Sequence, residues 1–402
     1  MERKMKSTKE YKELEKKYYM QVVNRMPPVL VEGNGTVVKD NDGKEYLDFT
    51  AGWAVLNLGH SHESVTSAIK DQAGKILQMS NLFYTTPQLS LAETIVENSA
   101  LDRVFFCNSG AEANEGASKL ARKWGKKKLN GAFEIITTLN SFHGRTQAMM
   151  AATGQPHYQD NWRPLMPGFI NVEYNNIDKI KEAYNENVCA VMIEPLQGEG
   201  GVNVPNDGYL KKVQDFCKSK NILFILDEVQ TGMGRLGTLF GYQRFEGVEP
   251  DVMTLAKALG SGAPLGAFCS KEFCSVLEPG DHGSTFGGNA LTTAAGAAAA
   301  KYMVENNIPQ LALSSGDYLK EKLFLLKEDF SFITEVRGMG LLIGLEMNDD
   351  YSSQIVGESL EKGLLINAIR PNMIRFMPPL NVSKDEIDRA IEIIRSVLEG
   401  IK

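Results

Sequence analysis

The sequence of 402 residues predicts an α/β protein, in which helices cover both faces of a mostly parallel sheet. Strand-like apolar segments alternate with helix-like segments through the middle of the chain, and such alternation is typical of βαβ units. In residues 222–227, five consecutive apolar residues precede an acid, as expected of a strand buried on both faces. Because both chain ends lack this alternation, we expect one large α/β domain and one smaller α+β domain.

The predicted elements can be justified in chain order. A charged amphipathic pattern predicts a helix over 1–23 that ends at the Pro27-Pro28 break. Residues 36–49 predict a hairpin that turns at Asp42-Gly43. Strands are then expected at 103–107, 134–138, 190–194, 222–227, 252–255 and 265–270, and helices from Ala111, near 209–219 and over 289–301.

The last hundred residues show a different pattern. Paired strands are expected over 335–347, followed by a helix over 352–362 that Gly363 ends. Ser383 and Glu386 form a capping-box pattern at the start of the final helix. We therefore predict that 1–55 and 305–402 form the small domain, and that 56–304 form the large domain.

Composition excludes several classes of function. Hydrophobic residues make up 43% and charged residues 23% of the chain, and the formal net charge is −7. This charge argues against nucleic-acid or acidic-membrane partners, and no apolar stretch approaches the ~20 residues of a membrane span. The five cysteines are scattered, which favours a reducing cytoplasm, and the histidines lack the spacing of a metal site. We expect a cytoplasmic protein without a metal, a nucleic-acid partner or a membrane partner.

Two residues carry the strongest chemical signal. Asp227 ends the buried strand, where open α/β sheets place their ligands, and Lys257 follows the next apolar segment. A lysine amine can bind the aldehyde of pyridoxal phosphate, while a carboxylate keeps the pyridine nitrogen protonated. A strand that ends in Asp-Glu is also found in nucleotide hydrolases, but this chain has no G-x-x-x-x-G-K-[ST] phosphate loop.

Further motifs lie in a fixed order around these two residues. They are Asn108-Ser-Gly-Ala-Glu-Ala-Asn-Glu115, Ser141-Phe-His-Gly-Arg-Thr146, Glu194-Pro-Leu-Gln-Gly-Glu-Gly-Gly201, Gly283-Ser-Thr-Phe-Gly-Gly-Asn289 and Arg375-Phe-Met-Pro-Pro379. With them the chain resembles the class III pyridoxal-phosphate aminotransferases, most of all the N-acetylornithine aminotransferases. The resemblance implies a type I aminotransferase fold and a homodimer with active sites at the subunit interface.

The resemblance also implies the cofactor site. Ser109, Gly110 and Ala111 open a helix, and a helix N-terminus suits a phosphate, although Ser109 could equally be an ordinary N-cap. The other residues expected to contact the cofactor, besides Asp227 and the catalytic Lys257, are Phe142 on the ring face, Gln230 at the phenolic oxygen and Thr285 from the other subunit.

Two arginines indicate acidic substrates. Arg145 and Arg375 suit the two carboxylates of glutamate and 2-oxoglutarate, unless either forms a structural ion pair. In the family, Arg145 and Ser284 contact acetylornithine, and Glu199 pairs with Arg375 when a terminal amine enters. Trp53 replaces the smaller aliphatic residue or tyrosine that relatives usually carry and is expected to face the substrate.

The expected reaction transfers the terminal amino group of N-acetylornithine to 2-oxoglutarate, as in arginine biosynthesis. Because Trp53 departs from the family pattern, ornithine, 4-aminobutyrate, N-succinylornithine and N-acetyllysine stay open as donors. A pyridoxal-dependent decarboxylase or aminomutase is a further alternative. A dehydrogenase that binds NAD at Gly232-Met-Gly-Arg-Leu-Gly237 is another, although five residues separate this match from its strand.

Overall fold

The computed structural model describes residues 6–401. Its helices are α1 (Thr8–Tyr18), α2 (Ala51–Ala54), α3 (Glu63–Ala73), α4 (Thr86–Glu97), α5 (Gly110–Lys128), α6 (Gln147–Ala152), α7 (Pro156–Gln159), α8 (Ile177–Ala183), α9 (Tyr209–Lys220), α10 (Ala290–Glu305), α11 (Ile308–Asp329), α12 (Ser352–Glu361) and α13 (Lys384–Leu398). Its strands are β1 (Leu30–Asn34), β2 (Val37–Asp40), β3 (Glu45–Asp48), β4 (Arg103–Cys107), β5 (Glu134–Thr138), β6 (Phe169–Val172), β7 (Val188–Ile193), β8 (Leu223–Asp227), β9 (Val252–Leu255), β10 (Gly266–Ser270), β11 (Ile333–Met339), β12 (Leu342–Met347), β13 (Leu364–Leu365), β14 (Asn367–Arg370) and β15 (Met373–Phe376).

A seven-stranded sheet forms the centre of the molecule, in the order β4-β10-β9-β8-β7-β5-β6. Strands β9, β8, β7, β5 and β6 are parallel neighbours, whereas β10 runs antiparallel to both β4 and β9. Every residue of β7 and β8 is buried, because helices cover both faces of the sheet. The predicted α/β class with a mostly parallel sheet is therefore confirmed.

The two ends of the chain meet in a second sheet with the order β1-β2-β3-β13. The predicted hairpin is confirmed: β2 pairs antiparallel with β3, and Gly43 turns with a φ of 89°. Leu364 of β13 pairs in parallel with Leu47 of β3. Strands β11, β12, β15 and β14 form a third, antiparallel sheet. These pairings agree with a small unit built from both ends, while the boundaries at 55 and 304 stay a prediction.

The first helix is shorter than its sequence pattern predicted. It begins at Thr8, where Ser7 and Glu10 form a capping box, and ends at Tyr18, because Tyr19 has extended backbone angles. None of its residues is buried, so no packed face extends it toward residue 23. The predicted extent to 23 is therefore wrong, and residues 1–5 lie outside the described residues.

The length and composition of these helices can be compared with those of membrane spans. Among residues 6–401, none of them combines the length and the apolar composition that crossing a bilayer requires.

One close packing contact gives a test of the fold. A Cβ on Gly316 of α11 would lie 2.0 Å from the carbonyl oxygen of Gly340, in the turn between β11 and β12. We expect Gly316→Ala to lower the melting temperature, corresponding to about 1–3 kcal/mol of overpacking. The control is Gly357→Ala in α12, where a Cβ meets open space and helix propensity favours alanine by ~0.5–1 kcal/mol. Equal melting temperatures for the two variants would contradict this packing.

Candidate active site

A cavity of about 420 Å³ opens at the carboxyl end of β8, beside the N-terminus of α5. This edge is where parallel sheets bind ligands, because the connections on either side diverge there. Most of the predicted site residues line the cavity: Ser109, Gly110, Ala111, Phe142, Arg145, Glu199, Asp227, Gln230 and Lys257. The fold therefore brings together residues that lie as much as 148 positions apart in the sequence (257 minus 109).

The Asp227 carboxylate is buried and held by several donors. Its Oδ2 accepts hydrogen bonds of 2.7 Å from Asn114 Nδ2 and lies 2.7 Å from His143 Nδ1. Its Oδ1 accepts a hydrogen bond of 3.0 Å from the Val229 amide. Asn114 is itself oriented by the Thr254 hydroxyl, which donates to Asn114 Oδ1 at 2.7 Å. These contacts hold the carboxylate in one orientation.

Sequence reasoning did not single out Asn114 or His143. Both lie inside the quoted motifs, so the signal was present, but only the folded chain brings them to the Asp227 carboxylate. Because the carboxylate accepts, the proton of that contact belongs to His143 Nδ1. His143 Nε2 is buried and finds no hydrogen-bond partner within residues 6–401.

Lys257 follows β9 in a strained backbone conformation. Its φ is 46°, in the left-handed region that residues with a Cβ seldom occupy. Burial lowers the pKa of the Lys257 amine, and Glu199 opposes that shift while Arg375 adds to it. A lowered pKa increases the neutral fraction of the amine, which is the nucleophilic form. Strain at a residue with shifted protonation is typical of functional sites.

The N-terminus of α5 forms a second wall of the cavity. Ser109 is the N-cap, and its Oγ accepts a hydrogen bond of 3.2 Å from the Glu112 amide. A Cβ on Gly110 would lie 2.8 Å from Val229 Cγ1, so only glycine lets the helix start this close to the turn after β8. The amides of this first turn are suited to an anion.

An ion pair closes the opposite side. Arg375, which is fully buried on β15, donates from Nη1 to Glu199 Oε1 at 2.8 Å. Gln230 Nε2 donates to the same oxygen at 2.9 Å. Burial raises the pKa of the Glu199 carboxyl, but Arg375 and Lys257 outweigh it and hold the pKa at about 2. Glu199 is therefore ionised, and this arginine already has a carboxylate partner.

Arg145 differs from Arg375 in both its exposure and its partners. It is exposed at the cavity mouth, with its guanidinium carbon 4.5 Å from the Tyr158 ring centroid and 5.7 Å from that of Phe142. It forms no ion pair with any carboxylate of residues 6–401. One arginine fork is thus occupied and the other is free.

Glu194 is a second buried carboxyl that sequence reasoning did not assign. It lines the cavity and accepts a hydrogen bond of 3.3 Å from the Phe142 amide. Burial and the nearby Asp227 raise the pKa of Glu194 well above its usual value. The shift is opposite in direction to that of Glu199 and favours the neutral form of the Glu194 carboxyl.

Four predicted residues lie outside the cavity lining: Arg375, which reaches it only through Glu199 and Gln230, and Ser284, Thr285 and Trp53. Ser284 accepts a hydrogen bond of 3.2 Å from Asn108, a lining residue, whereas Thr285 is exposed beside it. Trp53 is 56% exposed, and its ring centroid lies 6.0 Å from the Arg375 guanidinium carbon. In a single chain, neither Thr285 nor Trp53 reaches the cavity.

The glycine-rich match to a dinucleotide motif is a structural turn. Gly232–Gly237 has no α-helix directly after it, and Arg235 within it is fully buried. Arg235 donates to the backbone carbonyls of Leu341 at 2.9 Å and Pro378 at 2.6 Å. The segment therefore joins the central sheet to the C-terminal strands.

Comparison with known proteins identifies the family. Residues 18–398 match the family model of the class-III aminotransferases. This chain belongs to the class-III aminotransferases. It is 50% identical to an acetylornithine aminotransferase of Methanocaldococcus jannaschii, over 97% of this chain and 98% of that protein. It is 49% identical to one of Caldanaerobacter subterraneus, over 96% of this chain and 99% of that protein.

Solved structures agree with that membership. An ornithine aminotransferase of Toxoplasma gondii superposes with a TM-score of 0.94 at 33% identity, over 99% of this chain and 95% of that one. An acetylornithine aminotransferase of Elizabethkingia anophelis gives a TM-score of 0.88 at 34% identity, over 99% of this chain and all of that one (100%). The expected fold and the expected enzyme class, a pyridoxal-phosphate-dependent transaminase, are confirmed, and the dehydrogenase alternative is wrong.

The geometry around Asp227 gives a prediction. We expect Asp227→Asn to fold and bind the cofactor but to turn over at least ~10³-fold more slowly, because an amide cannot keep the ring nitrogen protonated. The measurement is kcat with cofactor content determined separately. Asp251→Asn is the matched control: Asp251 also accepts a backbone hydrogen bond, from Phe224 at 2.9 Å, but lies outside the cavity. Activity of Asp227→Asn within tenfold of the parent enzyme would contradict the assignment.

Proposed function

We propose that this enzyme transfers the δ-amino group of N-acetylornithine to 2-oxoglutarate, which yields N-acetylglutamate semialdehyde and glutamate. The names of the relatives from Methanocaldococcus jannaschii and Caldanaerobacter subterraneus support this substrate. The observation that carries the proposal is the difference between the two arginines: Arg145 is free, whereas Arg375 is neutralised by Glu199 at 2.8 Å.

This difference matches the two substrates in turn. N-acetylornithine has one carboxylate and a terminal amine, so it needs only the Arg145 fork while Glu199 covers Arg375. The second carboxylate of 2-oxoglutarate needs Arg375 as well, and Glu199 must then move away. A buried arginine binds a carboxylate strongly once its own partner leaves, because charge-assisted hydrogen bonds are strong where water is excluded.

The residues around the cavity fit pyridoxal phosphate. The amides of Ser109, Gly110 and Ala111 would hold the phosphate at the start of α5, and Phe142 offers a flat face to the ring. Asp227 would pair with the ring nitrogen, and Gln230 with the phenolic oxygen. When bound through Lys257, the cofactor supplies an electron sink for the amino carbon.

The chain's own side chains then perform the proton chemistry. The Lys257 amine, with its lowered pKa, would take a proton from the substrate carbon and return it at a neighbouring atom. Asp227 holds its charge in a fixed position throughout, because Asn114 and His143 restrain both its rotation and its displacement. Glu194 also lines the cavity, and burial and the nearby Asp227 raise its pKa, which disfavours a second negative charge beside Asp227.

The proposal extends to a cytoplasmic homodimer whose active sites lie at the subunit interface. Segment 76–84 is hydrogen-bonded to the turn at Ser284–Gly287, through contacts that include Asn81 with the Ser284 carbonyl at 3.3 Å. These two segments expose several large apolar side chains: Ile76, Leu77, Met79, Leu82, Phe83, Tyr84 and Phe286. A patch of this kind is typical of subunit interfaces, and it would bring Thr285 to the partner's cavity. The proposed cytoplasmic location is supported by the five cysteines, which are all free and buried, as expected in a reducing compartment.

The donor is tested by single half-reactions. Purified enzyme is mixed with one amine at a time, and loss of the cofactor's visible absorption is followed. We expect N-acetylornithine to react faster than ornithine, 4-aminobutyrate, N-succinylornithine and N-acetyllysine. Faster reaction with any of the other four would replace the proposed substrate and leave the transaminase assignment intact.

The two arginines should separate in the same assay. We expect Arg375→Ala to slow the 2-oxoglutarate half-reaction by about 1.5–3 kcal/mol, as for a lost charge-assisted pair, and to affect the acetylornithine half much less. Arg145→Ala should slow both halves. Arg103→Ala, which removes an exposed arginine paired with Glu272, is the control. Equal losses in both halves for Arg375→Ala would rule out the proposed exchange of partners.

The position of Thr285 is tested with mixed dimers. A Lys257→Ala chain combined with a Thr285→Ala chain should regain activity, because one hybrid site then carries both native residues. The measurement is activity of dimers separated by two different affinity tags. Mixed dimers with no more activity than either parent would mean that Thr285 serves its own subunit.

A further inference from the structure

The Gln230 carboxamide joins both members of the ion pair that closes the cavity. Its Nε2 donates to Glu199 Oε1 at 2.9 Å, and its Oε1 accepts from Arg375 Nη1 at 3.3 Å. The side chain is buried and also lines the cavity. Because a guanidinium only donates and an ionised carboxylate only accepts, the amide has one allowed orientation: oxygen toward Arg375 and nitrogen toward Glu199.

We propose that Gln230 couples the position of Glu199 to the cofactor side of the cavity, and that Gly198 is the positioning residue that makes this coupling possible. The inference rests on the proposed function, in which Glu199 leaves Arg375 when 2-oxoglutarate binds. The inference adds that this movement would change the hydrogen bonds that Gln230 can donate to the bound cofactor. The protonation of the cofactor would then depend on whether Glu199 is paired with Arg375 or has moved away to admit 2-oxoglutarate.

The first step is the loss of an acceptor. When Glu199 leaves, the Gln230 N–H that pointed at it is still buried and must find another partner, because an unpaired buried donor is unfavourable. Gln230 borders the cavity, so the phenolic oxygen of a cofactor held as proposed above would be an acceptor for its amide. A hydrogen bond donated to that oxygen would stabilise its anionic form and so would change the pH at which the bound cofactor loses a proton.

The second step is the space that the carboxamide occupies. A Cβ on Gly198 would lie 1.6 Å from Gln230 Oε1 and 2.7 Å from Gln230 Cδ, and its third nearest atom is Gln230 Cγ at 3.5 Å. The backbone of Gly198 is outside the left-handed region, so alanine is conformationally allowed there. A methyl group at 198 therefore displaces the Gln230 carboxamide and leaves the charges of Glu199 and Arg375 in place.

The test uses the pH midpoint of the visible absorption of the resting holoenzyme, which needs no substrate. Midpoints are measured for the parent enzyme, Glu199→Ala, Gln230→Ala and the double variant. Loss of the Glu199 charge shifts the midpoint by the same amount whether residue 230 is glutamine or alanine. This direct effect therefore cancels when the four midpoints are compared as a double-mutant cycle. We expect the two changes to be non-additive by about 0.4–1 pH unit, the effect of one hydrogen bond. Additive midpoints, within about 0.2 unit, would overturn the coupling.

Gly198 is tested with the same readout. Gly198→Ala should move the midpoint in the same direction as Gln230→Ala, and combining the two should add nothing further. Gly357→Ala, where a Cβ meets open space, should leave the midpoint unchanged. A Gly198→Ala midpoint equal to the parent value would remove Gly198 from the proposal. If that variant fails to fold, the Glu199/Gln230 cycle still decides the coupling.

The outcome is independent of the amine donor. If the half-reaction screen selects a different donor, the proposed substrate fails, while the absorption midpoints still report whether Gln230 transmits the position of Glu199. If the cycle is additive while N-acetylornithine reacts fastest, the coupling fails and the proposed function stands.

Discussion

The buried carboxylate of Asp227 is the constraint on which the rest of the site depends. A charge at the end of a central strand is stable there only if donors surround it. Those donors come from different elements: Asn114 from α5, His143 from the loop after β5, and the Val229 amide from the turn after β8. Hydrogen bonds to one carboxylate therefore fix three walls of the cavity relative to each other.

The cavity also shifts the pKa values of two carboxyls of one motif in opposite directions. Glu194 and Glu199 are five residues apart and both are enclosed by protein. Glu199 faces Arg375 and is ionised, whereas Glu194 has Asp227 as its nearest strong influence after burial, and its pKa is raised. Different neighbours thus let one motif provide an ionised partner for the Arg375 guanidinium and a second carboxyl, beside Asp227, whose neutral form is favoured.

Much of the central sheet could be predicted because its strands are buried on both faces. Strand β9 and strand β5 have the predicted bounds, and β8 differs by one residue, since short segments rich in apolar and β-branched residues are typical of buried strands. Helix α1 was predicted too long, because amphipathic periodicity does not reveal whether a partner face exists, and none of its residues is buried. The short strands β13 and β14 carry too few residues for a periodic signal.

The sequence by itself determined the fold class and the family, and it indicated the main chemical pair. Asp227 and Lys257 each follow an apolar segment, so both can be recognised from their neighbours in the sequence alone. Only the tertiary structure decided which arginine is free and which is paired, that Asn114 and His143 hold Asp227, and that the pKa of Glu194 is raised. Those properties depend on distances between residues far apart in the chain and on burial. Hydrogen bonds and charge interactions of this kind have no periodicity along a sequence.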